Sequence, residues 1–480
     1  MRTKGIFICG FIVFLVASKA STQEILKSTL DDQKTVEVTA YNNNLALIKD
    51  TREIPLPKGE GELRFMDVAA HIMPVTVRIQ SLNAPDQFAV LEQNYEYDLM
   101  SANKLLDKYV GKTINVIDHN RYQDKKEILE ATLLSNNEGQ IYKIGEKIYL
   151  GHPGLRVLPE IPEDLIAKPT LTWLYQNDSR QAQEIEVSYL TKNINWKADY
   201  VVAINDQDTA AGINGWVTLD NKSGATYRDA SLKLVAGEVH LAKPEIWEGR
   251  DKVYEAGVAF KIGRPQFEEK SFFEYHIYDL QRPTTIKDKQ TKQVSLLEAE
   301  DVLVEKELMV RGVNHYFTGQ YRQSDVKIPV EVYIKFENSR KNHMGLALPA
   351  GVMRLYKQDH EGSLQFIGED RIQHTPKNEE VKLKIGEAFD VVVERVQTDY
   401  KVYKSYPYRV HESEWKITIR NHKDQNVTVH VIEPMPAANW NIINASAPYE
   451  KMDAFTIKFS IPVEADGETQ LQYRVKVHHG

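Results

Sequence analysis

Two short runs place a carboxylate and an imidazole two residues apart. In Phe273-Glu274-Tyr275-His276-Ile277-Tyr278, Glu274 and His276 fall on one face of an extended chain, with Tyr278 next in the row. Glu238 and His240 repeat the spacing directly after Gly237. Brought together, the four groups would make a carboxylate–imidazole set of the kind that holds a metal ion or supplies an acid and a base. Taken separately, each pair also fits a Tyr- and His-lined hairpin that uses these groups for cross-strand hydrogen bonds. Both readings stay open, because the spacing supplies no third ligand.

Two further stretches carry polar or aromatic chemistry. Asn205-Asp206-Gln207-Asp208-Thr209 is rich in oxygen, but it lacks the glycine and the closing glutamate of a calcium loop, and it reads first as a solvated turn. Tyr400-Lys-Val-Tyr-Lys-Ser-Tyr-Pro-Tyr408 places Tyr400, Tyr403, Tyr406 and Tyr408 in nine residues. Such rings stack on sugars or peptides when exposed, or line one buried strand face that ends at Pro407. Familiar catalytic signatures are missing: there is no Gly-x-Ser-x-Gly elbow, no His-Glu-x-x-His pair and no Gly-rich phosphate loop. Glu369-Asp370 and Glu379-Glu380 are sequence neighbours, which in a strand point to opposite sides and so do not face each other across a sugar.

The elements that must position these residues are strands. Val36, Val38 and Ala40 alternate with polar residues, as do Val75, Val77 and Ile79. Asp98 to Tyr109 predicts a turn or two of helix before Gly111. Short strands then follow over 113–117, 130–135, 141–144 and 147–150, tight enough to predict a small barrel-like module. In the larger half a unit recurs: alternating strand, Asn-led turn, alternating return. It appears at Trp216 to Leu234 around Asn221, at Val330 to Leu348 around Asn338, and at Trp415 to Val431 around Asn421. Asparagine suits such turns because its side chain bonds nearby backbone. The pattern predicts an all-β chain of tandem, antiparallel, immunoglobulin-like sandwiches, with the small barrel-like module inserted in the N-terminal half. The charged interval 279–307 predicts a crossover or an exposed edge pair.

Composition narrows the setting. Arg2 and Lys4, the apolar run Ile6 to Val16 and the small residues of Ala17-Ser18-Lys19-Ala20 match a cleaved export signal over 1–20. The one cysteine, Cys9, lies inside it, so an exported chain would carry no thiol. The formal charge is −8, and removing Arg2, Lys4 and Lys19 makes it 57 − 68 = −11. That balance disfavours nucleic acid, and beyond Ala20 no apolar stretch reaches the ~20 residues that span a bilayer.

Several stretches carry a resemblance: Val187 to Tyr200, Trp216 to Gly237, Phe273 to Tyr278, Leu348 to Tyr356 and Ile385 to Asp390. Together, over about 171–480, they resemble the domain of unknown function numbered 4139, best known from mucoidy-inhibitor A-like proteins. The resemblance implies an exported β-sandwich protein and brings no catalytic residues with it. The expected domains are an N-terminal β domain over 35–168, with the module at 105–160, and sandwiches over 171–295 and 296–480. The expected function is a non-catalytic binding or structural protein, periplasmic or extracellular, that contacts envelope protein or carbohydrate and needs no cofactor. The alternative is a metal-dependent or acid–base hydrolase on the Glu238/His240 and Glu274/His276 hairpins.

Overall fold

Alternating burial dominates the chain. In Gly59–Met66, Gly61, Leu63 and Phe65 are buried while Glu62 and Arg64 are not, and in Ala210–Asn221 every second residue is buried along all twelve. This computed structural model describes residues 25–96, 101–120, 125–137, 139–151, 154–160, 168–237, 267–272, 275–321, 326–359, 361–405 and 408–479. The expected export signal lies outside them. The chain divides into two compact units: residues 1–36, 48–191 and 223–225, and residues 37–47, 192–222 and 226–480.

In the first unit, a four-stranded sheet runs in the order Ile25–Ser28, Gly59–Met66, Thr170–Asn177, Phe88–Glu96. Leu63, Phe65, Trp173 and Tyr175 are buried on it, and Phe65 meets Trp173 edge-on at 5.9 Å. Gly61 is required there, since a Cβ would come within 2.5 Å of the Tyr175 hydroxyl. Phe88–Glu96 and Thr170–Asn177 pair directly, and the predicted module is inserted between them. It holds the helix Ala102–Lys108, capped by the Ser101 side chain, and a five-stranded sheet. Leu106, Tyr109, Ile114, Val116, Ala131, Leu133 and Tyr142 form its own core. The sheet is open rather than barrel-like. Lys147–Leu150 and Leu155–Val157 are its two edges, and Leu106 and Tyr109 close the core without strand closure.

In the second unit, Gln290–Leu303, Ala210–Asn221, Ile194–Ile204, Gly351–Gln358 and Leu364–Ile372 make a five-stranded sheet. The charged interval thus becomes, in large part, its edge strand. Tyr227–Ala236 pairs with Tyr275–Leu280, which pairs with Phe267–Phe272. Trp196 and Tyr278 bring these sheets together at 6.3 Å. A C-terminal sandwich completes the unit. Its six-stranded sheet places Glu305–Arg311 and Val427–Pro434 centrally, and its five-stranded sheet is built on Val391–Ser405, Tyr408–Asn421 and Glu468–His479. Val429, Val431, Phe459 and Ile461 pack against Val393, Trp415, Ile417 and Tyr473 in its core.

All three predicted turn asparagines are buried. Their side chains also reach beyond their own turns. Asn221 donates to Ile286 and Lys287 carbonyls, Asn338 to Leu346 and Pro376, and Asn421 to Gln425 and Glu464. Antiparallel pairing is not universal. Ile194–Ile204 runs parallel to Gly351–Gln358, and Glu305–Arg311 to Val427–Pro434. Partners so far apart in the chain leave ample length for the crossover that parallel pairing needs.

Candidate functional site

Of the four groups first considered for metal or acid–base chemistry, Glu274, Glu238 and His240 lie outside the described residues. His276 lies within them, on Tyr275–Leu280, and its partner is Glu269 of the neighbouring strand. Register places Glu269 opposite Tyr278 and Ser271 opposite His276, so Glu269 and His276 are diagonal neighbours on one face. His276 Nδ1 lies 2.8 Å from Glu269 Oε1. The other carboxylate oxygen accepts from Lys377 at 3.0 Å and from the Ala347 amide at 3.2 Å. The Tyr278 hydroxyl donates to the Ala347 carbonyl at 2.8 Å.

The Glu269 side chain is 5 % exposed. Burial pushes its carboxyl up, but the hydrogen bonds from Lys377, Ala347 and His276 outweigh burial and hold it below its usual range. Burial, then the Glu269 charge, raises the Tyr278 hydroxyl far above its ordinary value. The carboxylate is thus fully engaged as an anchor, leaving one partly exposed imidazole for acid–base work. Among the described residues no group of three or more His, Cys, Asp or Glu side chains is placed to hold a metal ion. Sequence spacing missed Glu269 because a diagonal pair depends on hairpin register, which spacing within one strand does not give.

The tyrosines are divided by the pleat. Tyr400 pairs with Ser413 and Tyr403 with Val410 in the Val391–Ser405 and Tyr408–Asn421 hairpin. Three positions apart, they face opposite sides. Tyr400 Oη lies 2.7 Å from His411 Nδ1, and burial raises its pKa despite Arg409. Tyr403, 41 % exposed, has the Lys476 ammonium 5.7 Å from its ring centre and donates to Glu412 at 3.4 Å. Beside it, Arg474 binds Asp399, Glu412 and Glu414 at 2.9, 3.0 and 2.7 Å. Tyr406 lies outside the described residues, and Tyr408 opens the return strand opposite Ser405.

A concave feature that the sequence did not signal is an open pocket of about 440 Å³ between Leu303, Lys335, Glu337, Ser339 and Glu380. Glu337 and Glu380 stand opposite each other in register, and the buried Ser339 hydroxyl has no hydrogen-bond partner among the described residues. Its walls come from segments far apart in the chain, so no local motif announces it.

Stacked sheets joined by Asn-led hairpins, with no assembled catalytic constellation among the described residues, define a multi-sandwich β-protein. The chain belongs to the family described as Domain of unknown function (DUF4139), whose model matches residues 185–480. No curated protein matches the chain.

Proposed function

We propose that this chain is an exported, non-catalytic binding or structural protein of the cell envelope or exterior, contacting protein or carbohydrate through its C-terminal sandwich. The proposal extends to a role akin to that of the mucoidy-inhibitor A-like proteins it resembles. The observation that carries it is Tyr403. Its ring is exposed yet held between Lys476 and Glu412 on paired strands. A fixed amphipathic ring offers contact area at low entropic cost, and the charged row beside it offers hydrogen bonds to hydroxyls or peptide groups. The N-terminal charge and apolar pattern supports export. No helix among the described residues is long and apolar enough to cross a membrane.

The test is retention of the purified protein on glycans and envelope fractions, with Tyr403→Ala expected to weaken it about tenfold, in line with ~1–3 kcal/mol for a stacked ring. Retention that ignores the substitution would overturn this surface, and hydrolytic turnover without any retention would overturn the function. Acid–base hydrolysis at His276 is the second reading, favoured by the 2.8 Å contact with Glu269. It requires turnover that His276→Gln abolishes.

A further inference from the structure

Two carboxylates of the second unit each hold a pair of lysines. Asp208, in the oxygen-rich run 205–209, accepts from Lys306 at 2.6 Å and from Lys357. A calcium ion would find it already occupied. Glu307 accepts from Lys335 at 2.8 Å and from Lys382 at 2.5 Å. Glu337 and Glu380, on the open pocket, are the contrast. They end Glu331–Glu337 and begin Glu380–Glu387, opposite each other in register. The next pair along carries a ladder bond, the Asn338 amide donating to the Glu379 carbonyl at 2.9 Å. Glu337 and Glu380 are therefore a non-hydrogen-bonded pair, the kind whose side chains stand closest. Both are exposed, and neither carboxylate has an ion pair or a hydrogen bond among the described residues. Like charges set directly opposite each other are unfavourable.

A second observation belongs to the same pocket. Ser339 lines it and is 3 % exposed. Its buried hydroxyl has no hydrogen-bond partner among the described residues, and it does not cap the turn Arg340–Asn342 that it precedes. A buried hydroxyl left unpaired is costly, and a donor entering the pocket would satisfy it. The lining holds two lysines and three glutamates, which leaves one net negative charge. Lys335 is tied to Glu305 at 3.1 Å as well as to Glu307. The excess charge therefore falls to Glu337 and Glu380, against the exposed Lys341. Two carboxylates and a hydroxyl match the three N–H donors of an ammonium group. Leu303 and Val304 line the same space and offer apolar contact to the carbon skeleton that carries it. A metal ion would want a third charged ligand, and among the described residues no group of three or more His, Cys, Asp or Glu side chains is placed to supply one.

We propose that this pocket binds an organic ammonium group, held by Glu337 and Glu380 with the Ser339 hydroxyl as third acceptor. The group could be carried by an amino sugar or by a lysine side chain, which share this chemistry. The site does not rest on the Tyr403 surface, so either can fail alone. The test is calorimetric titration of the full chain with glucosamine and, separately, Nα-acetyl-lysine amide, at constant ionic strength and a pH where both amines are charged. At least one amine binds saturably, and which one binds tells the two sources apart. N-acetylglucosamine, the same ring without the charge, does not bind. Glu337→Gln and Glu380→Gln each weaken binding about tenfold or more, the range of a hydrogen bond to a charged group. Ser339→Ala weakens it by a smaller factor, and Lys341→Gln, which removes the competing charge, tightens it. Glu450→Gln, whose carboxylate pairs with Lys458 at 2.7 Å instead, leaves it unchanged. Saturable binding of neither amine, equal binding of N-acetylglucosamine, binding of calcium in place of the amines, or an unaltered Kd in both glutamine variants overturns the site.

Discussion

Each unit buries an arginine over aromatic rings, and the two burials differ in how completely the charge is met. In the first unit Arg52 lies 3.5 Å from the Phe65 ring centre. It donates to Asp50 at 2.8 Å and to the carbonyls of Ser28 and Met66 at 3.0 and 2.9 Å. In the second unit Arg395 lies 4.7 Å from the Tyr316 ring and 5.3 Å from that of Trp415. It pairs with Glu433 and, at 3.4 Å, with the Tyr473 hydroxyl, while its Nε and Glu433 Oε2 have no hydrogen-bond partner among the described residues. Burial opposes the Arg395 charge, and Glu433 and Tyr473 more than restore it. Backbone carbonyls at strand ends can saturate a guanidinium fork. Side chains alone, between two sheets, leave part of it unpaired. The first pair therefore acts as a clasp between strands, and the second as a stressed point in an otherwise apolar core.

The largest expected effect separates the two pairs directly. Glu433→Ala strands a buried cation and should cost about 3–5 kcal/mol. Asp50→Ala should cost less, because Ser28 and Met66 still hold Arg52. Urea midpoints that reverse this order would break the comparison. Replacing each pair by apolar residues sharpens it. Arg395→Met with Glu433→Leu should leave stability unchanged or raise it. Arg52→Met with Asp50→Leu should lose ~1–3 kcal/mol, since two carbonyls lose their donor. Gly312→Ala probes the crowding around the second pair, because its Cβ would lie 2.1 Å from Glu433 Oε2. About 1–3 kcal/mol is expected from the resulting shift, and a neutral result would mean that the carboxylate is free to move.

Acid gives the smallest and most gradual contrast. Burial pushes the Glu307 carboxyl up, but Lys335 and Lys382 outweigh it and bring its pKa to about 2. A folded-state pKa below the unfolded value of 4.5 adds stability that is present above about pH 4.5 and fades as pH falls toward 2. Asp208, Glu269 and Glu331, also held low, lie in the same unit. Acid should therefore open the second unit first, seen as a change at Trp415 before Trp173. Glu307→Gln should flatten that transition, by ~1 kcal/mol once solvent screening is allowed for.

Much of this was legible residue by residue. Val427 to Val431 and Phe455 to Ile461 alternate as strands in a sandwich must, and the buried Asn221, Asn338 and Asn421 were readable because few other side chains satisfy a turn from within. The partner of His276 was not legible, nor was the convergence of Lys306 and Lys357 on Asp208 in the 205–209 turn. Those depend on register and on which distant strands become neighbours, and neither leaves a mark within any one segment.

The order of side chains alone determined the pleated layers, their turns and the membership of residues 185–480 in their family, because alternation and turn chemistry act over a few residues. Tertiary structure alone decided that the module stays an open sheet, that Tyr400 and Tyr403 look in opposite directions, and that an oxygen-rich turn holds lysines. Charge and hydrogen bonding act through space at about 3 Å, and only the folded chain sets which groups come that near.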